Sequence, residues 1–254
     1  MYFLLLRLLP WISGVAMAFA LWVQWREPLF YPVPLLVGLA VFLLSATLLL
    51  WKRMSVAGFF ERIIPPLALL FAIGVGFLMI EDPLQRLFFS CVAVLTVTIS
   101  LEMLFYFLFN AKQYPVNALS HMALASVPLT AYALTAGLAG LTVFVHLPRW
   151  IPFLLLGLYG LAAYWTTEHP VADRANRRRW RVIGVVVGLQ VALFSLLLPL
   201  EVWTQGLVAA LLFAAPLRIR RYAFPPAPST RTAVLEAISV VIFFSAVLLT
   251  ARWA

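Results

Sequence analysis

Residues 85–109 read QRLFFSCVAVLTVTISLEMLFYFLF, a stretch in which only Arg86 and Glu102 are charged. A helix that spans a bilayer needs about 20 mostly apolar residues, so this stretch is long enough to cross a membrane. The whole chain has the same character: of its 254 residues, 65% are hydrophobic and 11% are charged. Soluble domains carry about 25% charged residues. The composition therefore predicts an all-α polytopic transmembrane helical bundle, with residues 1–254 in a single transmembrane domain.

Eight further apolar stretches flank this segment. Short polar loops separate them, and no gap is long enough to hold a soluble domain. Eight of the nine tryptophans lie at the proposed helix ends, with Trp11 as the exception, which is typical of the aromatic belts at the two membrane interfaces. The nine predicted helices cover residues 3–23, 34–51, 63–80, 85–109, 118–146, 150–165, 181–199, 203–217 and 233–251.

The basic residues are distributed unequally between the two sets of loops. If the N-terminus lies inside, the inner side holds fourteen of the 18 Lys and Arg residues, including Arg7, and the outer side holds Arg26, Arg86, Arg149 and Arg252. This bias predicts a protein of the plasma (inner) membrane with its N-terminus cytoplasmic and its C-terminus outside. It also assigns the net charge of +9 to orientation and to contact with membrane lipids, so we expect no nucleic-acid partner.

Short similarities between distant parts of the chain predict a tandem repeat. The segment 35–39 (LLVGL) resembles 154–158 (LLLGL), and Ile80-Glu81 matches Leu200-Glu201 in nearly the same register. Each pair joins helices that run in the same direction, as in a parallel repeat. The alternative is coincidence in a leucine-rich chain. The proposed halves cover residues 1–115 and 116–222, and a final helix follows at 233–251.

Charged and titratable side chains within a bilayer are costly, so each one is a candidate functional residue. Glu102 lies about 10 Å from the inner end of its helix, at 1.5 Å per residue. Arg7 and His121 lie at similar depth in the first and fifth predicted helices. One hypothesis is that these three form a proton relay or a polar pocket for a substrate headgroup. The alternative is that Arg7 extends to the interface, Glu102 is paired or protonated, and His121 bonds a backbone carbonyl.

A second candidate group consists of the outer acids Glu81, Asp82 and Glu201. Two close carboxylates could bind a cation or share a proton, whereas the alternative is a solvated outer rim. Glu81-Asp82-Pro83 with Phe88-Phe89 resembles the acidic pair and Phe-Phe signature of the membrane lycopene cyclases over about ten residues. Here the proline follows the acids, the second half keeps only Glu201, and the helix count differs. With these departures, about ten matching residues are too few to assign the chain to that family.

Two further features point to lipid or protein contacts. The run Arg177, Arg178, Arg179 and Arg181 predicts a binding surface for an anionic lipid headgroup or a partner, with a topology anchor as the alternative. Gly184 and Gly188 form a GxxxG pair that predicts close helix packing, within the chain or to a membrane-protein partner or second copy.

The sequence contains no phosphate-binding loop, no nucleophile elbow and no metal-binding motif. We therefore expect no cofactor and no metal. The leading interpretation is a non-enzymatic membrane protein that acts as a small transport, lipid-handling or membrane-complex subunit. The alternative is a membrane-embedded enzyme that acts on an apolar lipid or isoprenoid through paired carboxylates.

Overall fold

The computed structural model describes residues 2–50, 54–110, 112, 114–115, 118–167, 174–197, 200–222 and 229–250. These residues form nine α-helices and one short 3-10 helix, which confirms the predicted all-α polytopic bundle. A bilayer leaves backbone groups without water, and helices satisfy those groups internally. The helices are α1 (Tyr2–Arg26), α2 (Val33–Leu50), α3 (Val56–Phe77), α4 (Pro83–Phe109), α5 (Ala118–Phe144), α6 (Trp150–Thr166), α7 (Arg174–Leu197), α8 (Val202–Tyr222) and α9 (Thr230–Thr250).

Eight of these described helices are long and apolar enough to cross a membrane. The remaining helix, α6, is apolar but has only 17 residues. The chain is therefore a polytopic integral membrane protein. The number of crossings, the kind of membrane and the orientation of the termini stay predictions.

Several helices extend beyond their apolar centres into charged sequence. The helix α7 begins at Arg174, not at residue 181, and α8 continues through Arg218 and Arg220 to Tyr222. Arginine has a high helix propensity and extends its charge away from apolar surface, so these segments continue the helices. The arginine run predicted to lie in a loop is thus the first part of α7.

The described chain divides into two compact units, which we describe separately. Unit 1 covers Met1–Leu124 and unit 2 covers Ala125–Ala254. The unit boundary lies within α5, whereas the predicted repeat boundary lies just before that helix. The tandem repeat stays a prediction.

In unit 1, α1 packs against α2 and α4, and α3 also contacts α4. The buried Ser13 hydroxyl of α1 donates a 2.7 Å hydrogen bond to Ser45 of α2. Asp82 begins α4, where its carboxylate accepts from the backbone N–H groups of Leu84 and Gln85 at 3.2 and 3.3 Å. Polar groups therefore both connect the helices of this unit and cap the start of α4.

In unit 2, the closest helix pair is α6 with α7. A side chain at Gly160 would overlap the carbonyl of Gly184, and one at Gly188 would overlap the carbonyl of Leu156. The backbones of these helices are therefore in direct contact, as small residues in membrane helices allow. The buried hydroxyl of Tyr159 on α6 donates to the carbonyl of Val127 on α5 at 2.7 Å.

Candidate functional site

The structure joins two of the predicted intramembrane residues. Arg7 Nη1 on α1 donates to Glu102 Oε1 on α4 at 2.5 Å, and their side chains are 35% and 16% exposed. Arg7 Nη2 also donates to the hydroxyl of Tyr106 at 3.1 Å. The pair neutralises both charges at the contact between α1 and α4. We call Arg7, Glu102 and Tyr106 the polar cluster.

Aromatic rings complete the surroundings of Arg7. Its guanidinium carbon lies 5.1 Å from the ring centre of Phe105 and 5.0 Å from that of Tyr106. These distances are within the range of cation–π attraction. The second carboxylate oxygen of Glu102, Oε2, is buried and has no hydrogen-bond partner among the described residues. The cluster is a charge-neutral link between two helices with one acceptor atom left over.

His121 does not join this cluster in the described part of the chain. It is exposed on α5, and no hydrogen bond or ion pair connects it to Arg7 or Glu102. The proton-relay hypothesis requires contact between these groups. The structure therefore brings Arg7 and Glu102 together without His121, and the role of His121 stays a prediction.

The outer acids serve different roles. Asp82 caps α4, as described above, and Glu81 next to it is exposed. Glu201 is exposed at the start of α8, in unit 2. Asp82 therefore binds backbone N–H groups, and the pairing of the outer carboxylates stays a prediction.

The arginine run and the glycine pair both lie on α7. Arg178 and Arg179 are exposed, and the guanidinium of Arg181 lies 5.8 Å from the ring centre of Trp165 on α6. Gly184 and Gly188 face α6 within unit 2. The glycine pair therefore packs α7 against α6 within the chain.

Unit 2 also contains a cavity of about 540 Å³. It lies between the end of α5, the start of α6, the end of α7 and the first turn of α8. Ligand cavities in proteins have volumes of roughly 300–1,000 Å³. We call this the unit 2 cavity. Its lining comprises Thr135, Leu138, Ala139, Thr142, Val143, His146, Leu147, Pro148, Arg149, Pro152, Leu156, Ser195, Leu196 and Gln205.

The unit 2 cavity is polar and exposed at its mouth and includes buried apolar residues at its inner end. His146 and Arg149 at the mouth are exposed, whereas Leu138 and Leu156 are buried. His146 has a φ of 55°, which is uncommon for a residue other than glycine. Helices α5 and α6 are therefore joined by a tight connection that borders the opening.

Two buried hydroxyls line the inner part of the cavity. Thr135 is only 1% exposed, and its Oγ1 has no hydrogen-bond partner among the described residues. The buried Oγ of Ser195 on α7 also has no hydrogen-bond partner among the described residues. On α8, Gln205 Nε2 donates to the carbonyl of Leu200 at 2.9 Å. Buried polar atoms in proteins normally have partners, so two unpaired hydroxyls on one cavity indicate a place for a bound molecule or water.

The sequence analysis missed this cavity. Thr135 and Ser195 are isolated hydroxyl residues within apolar helices, where such side chains usually bond their own backbone. Thr142 does so, donating to the carbonyl of Leu138 at 2.7 Å. No local pattern distinguishes Thr142 from Thr135, because the difference arises from tertiary packing.

Among the described residues, no group of three or more His, Cys, Asp or Glu side chains could hold a metal ion. Comparison with protein-family models, curated proteins and solved structures gives no match for this chain.

Proposed function

We propose that this integral membrane protein handles lipids, and that it binds the polar end of an amphiphile in the unit 2 cavity without chemically changing it. The observation that carries this proposal is the pair of buried, unpaired hydroxyls of Thr135 and Ser195, two residues that line a cavity with both apolar and polar walls. A binding site of this kind combines a few placed polar groups with a mainly hydrophobic lining.

The two unpaired hydroxyls favour the binding of a polar group energetically. Leaving a polar group buried without a hydrogen bond costs about 1–3 kcal/mol. A ligand that brings oxygen atoms to Thr135 and Ser195 removes this cost when it binds. The leucine, alanine and valine side chains of the cavity are suited to the apolar part of the same molecule.

The cavity favours binding over catalysis. Ser195 and His146 both line it, but Ser195 Oγ makes no hydrogen bond to His146 or to any other described residue. A serine nucleophile requires an adjacent base to activate it. Among the described lining residues there is also no carboxylate that could act as a general acid or base.

The proposal is tested by filling the cavity. Ala139 lines the cavity on α5 and is 9% exposed, so Ala139→Phe places a large side chain in the space for the ligand. The matched control is Ala237→Phe on the exposed surface of α9. Each variant is purified in mild detergent, and native mass spectrometry measures the lipid that remains bound.

We expect Ala139→Phe to reduce bound lipid at least about tenfold, equivalent to about 1.4 kcal/mol, because it occupies the site. Ala237→Phe should retain the wild-type amount. Thermal unfolding checks that both variants remain folded. Equal lipid retention by all three proteins would reject the unit 2 cavity as the binding site.

A further inference from the structure

The lining of the unit 2 cavity also specifies the charge of its ligand. This inference rests on the proposed function. We infer that the cavity selects amphiphiles with an anionic, phosphate-type headgroup, which Arg149 and His146 bind at the mouth while Thr135 and Ser195 donate to its oxygens further in.

The residues that line the unit 2 cavity give it a positive charge. Arg149 provides a permanent positive charge and His146 an imidazole, and no described lining residue is acidic. The acid Glu201 lies one helical turn before Gln205, is exposed and is not part of the lining. Arginine binds phosphate through paired, charge-assisted hydrogen bonds.

Arg149 and His146, at the mouth of the cavity, are available to bind a headgroup. Arg149 is the N-cap residue of α6, but its side chain makes no capping hydrogen bond. No ion pair joins Arg149 or His146 to another residue in the part of the chain that the structure describes. Both side chains are exposed, so an incoming headgroup can contact them.

The helix dipoles do not decide the selectivity. Helices α6 and α8 begin beside the cavity, and α5 and α7 end beside it. Helix starts favour anions and helix ends favour cations, so these two pairs oppose each other. The charges of the side chains therefore determine the preference.

The lining also disfavours the main alternative, a headgroup that ends in a choline cation. Quaternary ammonium groups are recognised by aromatic rings, which attract the cation to their faces. The described lining of the unit 2 cavity contains no Phe, Tyr or Trp and no carboxylate. The trimethylammonium group of such a headgroup would find neither an aromatic face nor a carboxylate there, and Arg149 would repel it, whereas the hydroxyl, guanidinium and imidazole groups can donate hydrogen bonds to a phosphate oxygen.

The experiment compares headgroups in one membrane. The full chain is incorporated into nanodiscs containing equal amounts of phosphatidylglycerol and phosphatidylcholine, and native mass spectrometry measures the ratio of the two lipids retained. The wild-type protein should retain phosphatidylglycerol about tenfold over phosphatidylcholine, because both lipids carry the phosphate but only phosphatidylcholine adds a trimethylammonium cation, which Arg149 repels. Arg149→Gln should abolish the preference, and Arg149→Lys should restore part of it.

Arg26→Gln serves as the matched control, because Arg26 is an exposed arginine at the end of α1 and does not line the cavity. Its preference should equal that of the wild-type protein. Inorganic phosphate is added in a separate arm. If it displaces the bound lipid at millimolar concentration in an Arg149-dependent way, a free anion and not an amphiphile is the ligand, and the inference fails.

Other outcomes separate this inference from the proposed function. Equal retention of both lipids, with Ala139→Phe still abolishing retention, would overturn the anionic preference and leave lipid binding intact. Absence of retained lipid from the wild-type protein would overturn both. Loss of the preference in Arg26→Gln as well as Arg149→Gln would assign it to general surface charge and would also reject the inference.

Discussion

The two units hold their helices together by different means. In unit 1, the polar cluster joins α1 to α4, and the glycines of α1 and α2 meet side chains: Gly14 meets Thr98 and Gly38 meets Met17. In unit 2, α6 and α7 touch backbone to backbone through Gly160, Gly184 and Gly188. Lipid tails are as apolar as leucine, so helices in a bilayer associate through close packing or polar contacts. The contact between α1 and α4 in unit 1 is polar, whereas the contact between α6 and α7 in unit 2 is close packing of backbones.

The difference has a consequence for function. In unit 1, Arg7, Glu102 and Ser13 each bond to a residue on another helix, and these bonds serve the unit's own assembly, although Glu102 Oε2 has no partner among the described residues. In unit 2, close packing connects α6 to α7, and Thr135 and Ser195 line the unit 2 cavity with hydroxyls that have no partner among the described residues. Polar groups that do not hold helices together are free to contact a ligand. This contrast locates the proposed lipid site in unit 2.

The largest effect is expected from substituting a glycine at the α6–α7 contact. In Gly188→Ala, the new methyl group overlaps the backbone carbonyl of Leu156, which cannot move without displacing α6. We expect the free energy of unfolding to fall by about 3 kcal/mol, the upper part of the range for overpacked sites. Denaturant unfolding of the purified protein, followed by tryptophan fluorescence, measures the change.

Gly38→Ala in unit 1 is the matched control for this substitution. Its methyl group meets the thioether of Met17, at 2.9 Å from the sulfur, and a methionine side chain can turn aside. The loss should stay below about 1 kcal/mol. Similar losses for both glycines would show that the two units do not differ in how their helices pack.

A smaller effect is expected from breaking the polar cluster. Arg7→Met leaves Glu102 without its cation, and we expect the free energy of unfolding to fall by about 2 kcal/mol. This is less than a fully buried pair would lose, since Arg7 is 35% exposed. The double variant Arg7→Met with Glu102→Leu should recover part of the loss, because it leaves no unpaired charge. A double-mutant cycle measures the coupling between the two residues.

Glu102→Gln tests whether the polar cluster is structural or functional. This variant keeps the size of the side chain and should retain the wild-type amount of bound lipid, because the unit 2 cavity is unchanged. Loss of lipid retention in a folded Glu102→Gln protein would contradict the assignment of function to unit 2. It would favour the hypothesis that the polar cluster binds a substrate headgroup.

The helical bundle was predictable because its cause is local. A stretch such as 85–109 is apolar over more than the thickness of a bilayer, and the structure places α4 at Pro83–Phe109. The helix ends were less predictable at Arg174 and at Arg218, where charged residues continue a helix. Hydropathy reports the apolar thickness of the membrane, whereas helix propensity and capping determine where a helix stops.

The candidate sites were predictable only where a residue is rare in its surroundings. Glu102 and Arg7 are charged groups in apolar helices, and their depth in the membrane indicated that they meet. Thr135 and Ser195 carry no such signal, because single hydroxyl residues are common in membrane helices and usually bond their own backbone. The unit 2 cavity depends on how four helices pack, which no local pattern encodes.

A small loss of the free energy of unfolding is expected at Asp82. This side chain also tests whether a polar group is structural or functional. Its carboxylate accepts from the N–H groups of Leu84 and Gln85, so Asp82→Ala removes an N-cap and should cost about 1 kcal/mol. Asp82→Asn keeps an oxygen acceptor and should cost less in the same denaturant titration. Neither variant should change lipid retention or alter any lipid product. A folded Asp82→Asn protein that lost a lipid-modifying activity would show that the carboxylate does chemistry, which would favour the paired-carboxylate enzyme over the lipid-binding protein proposed here.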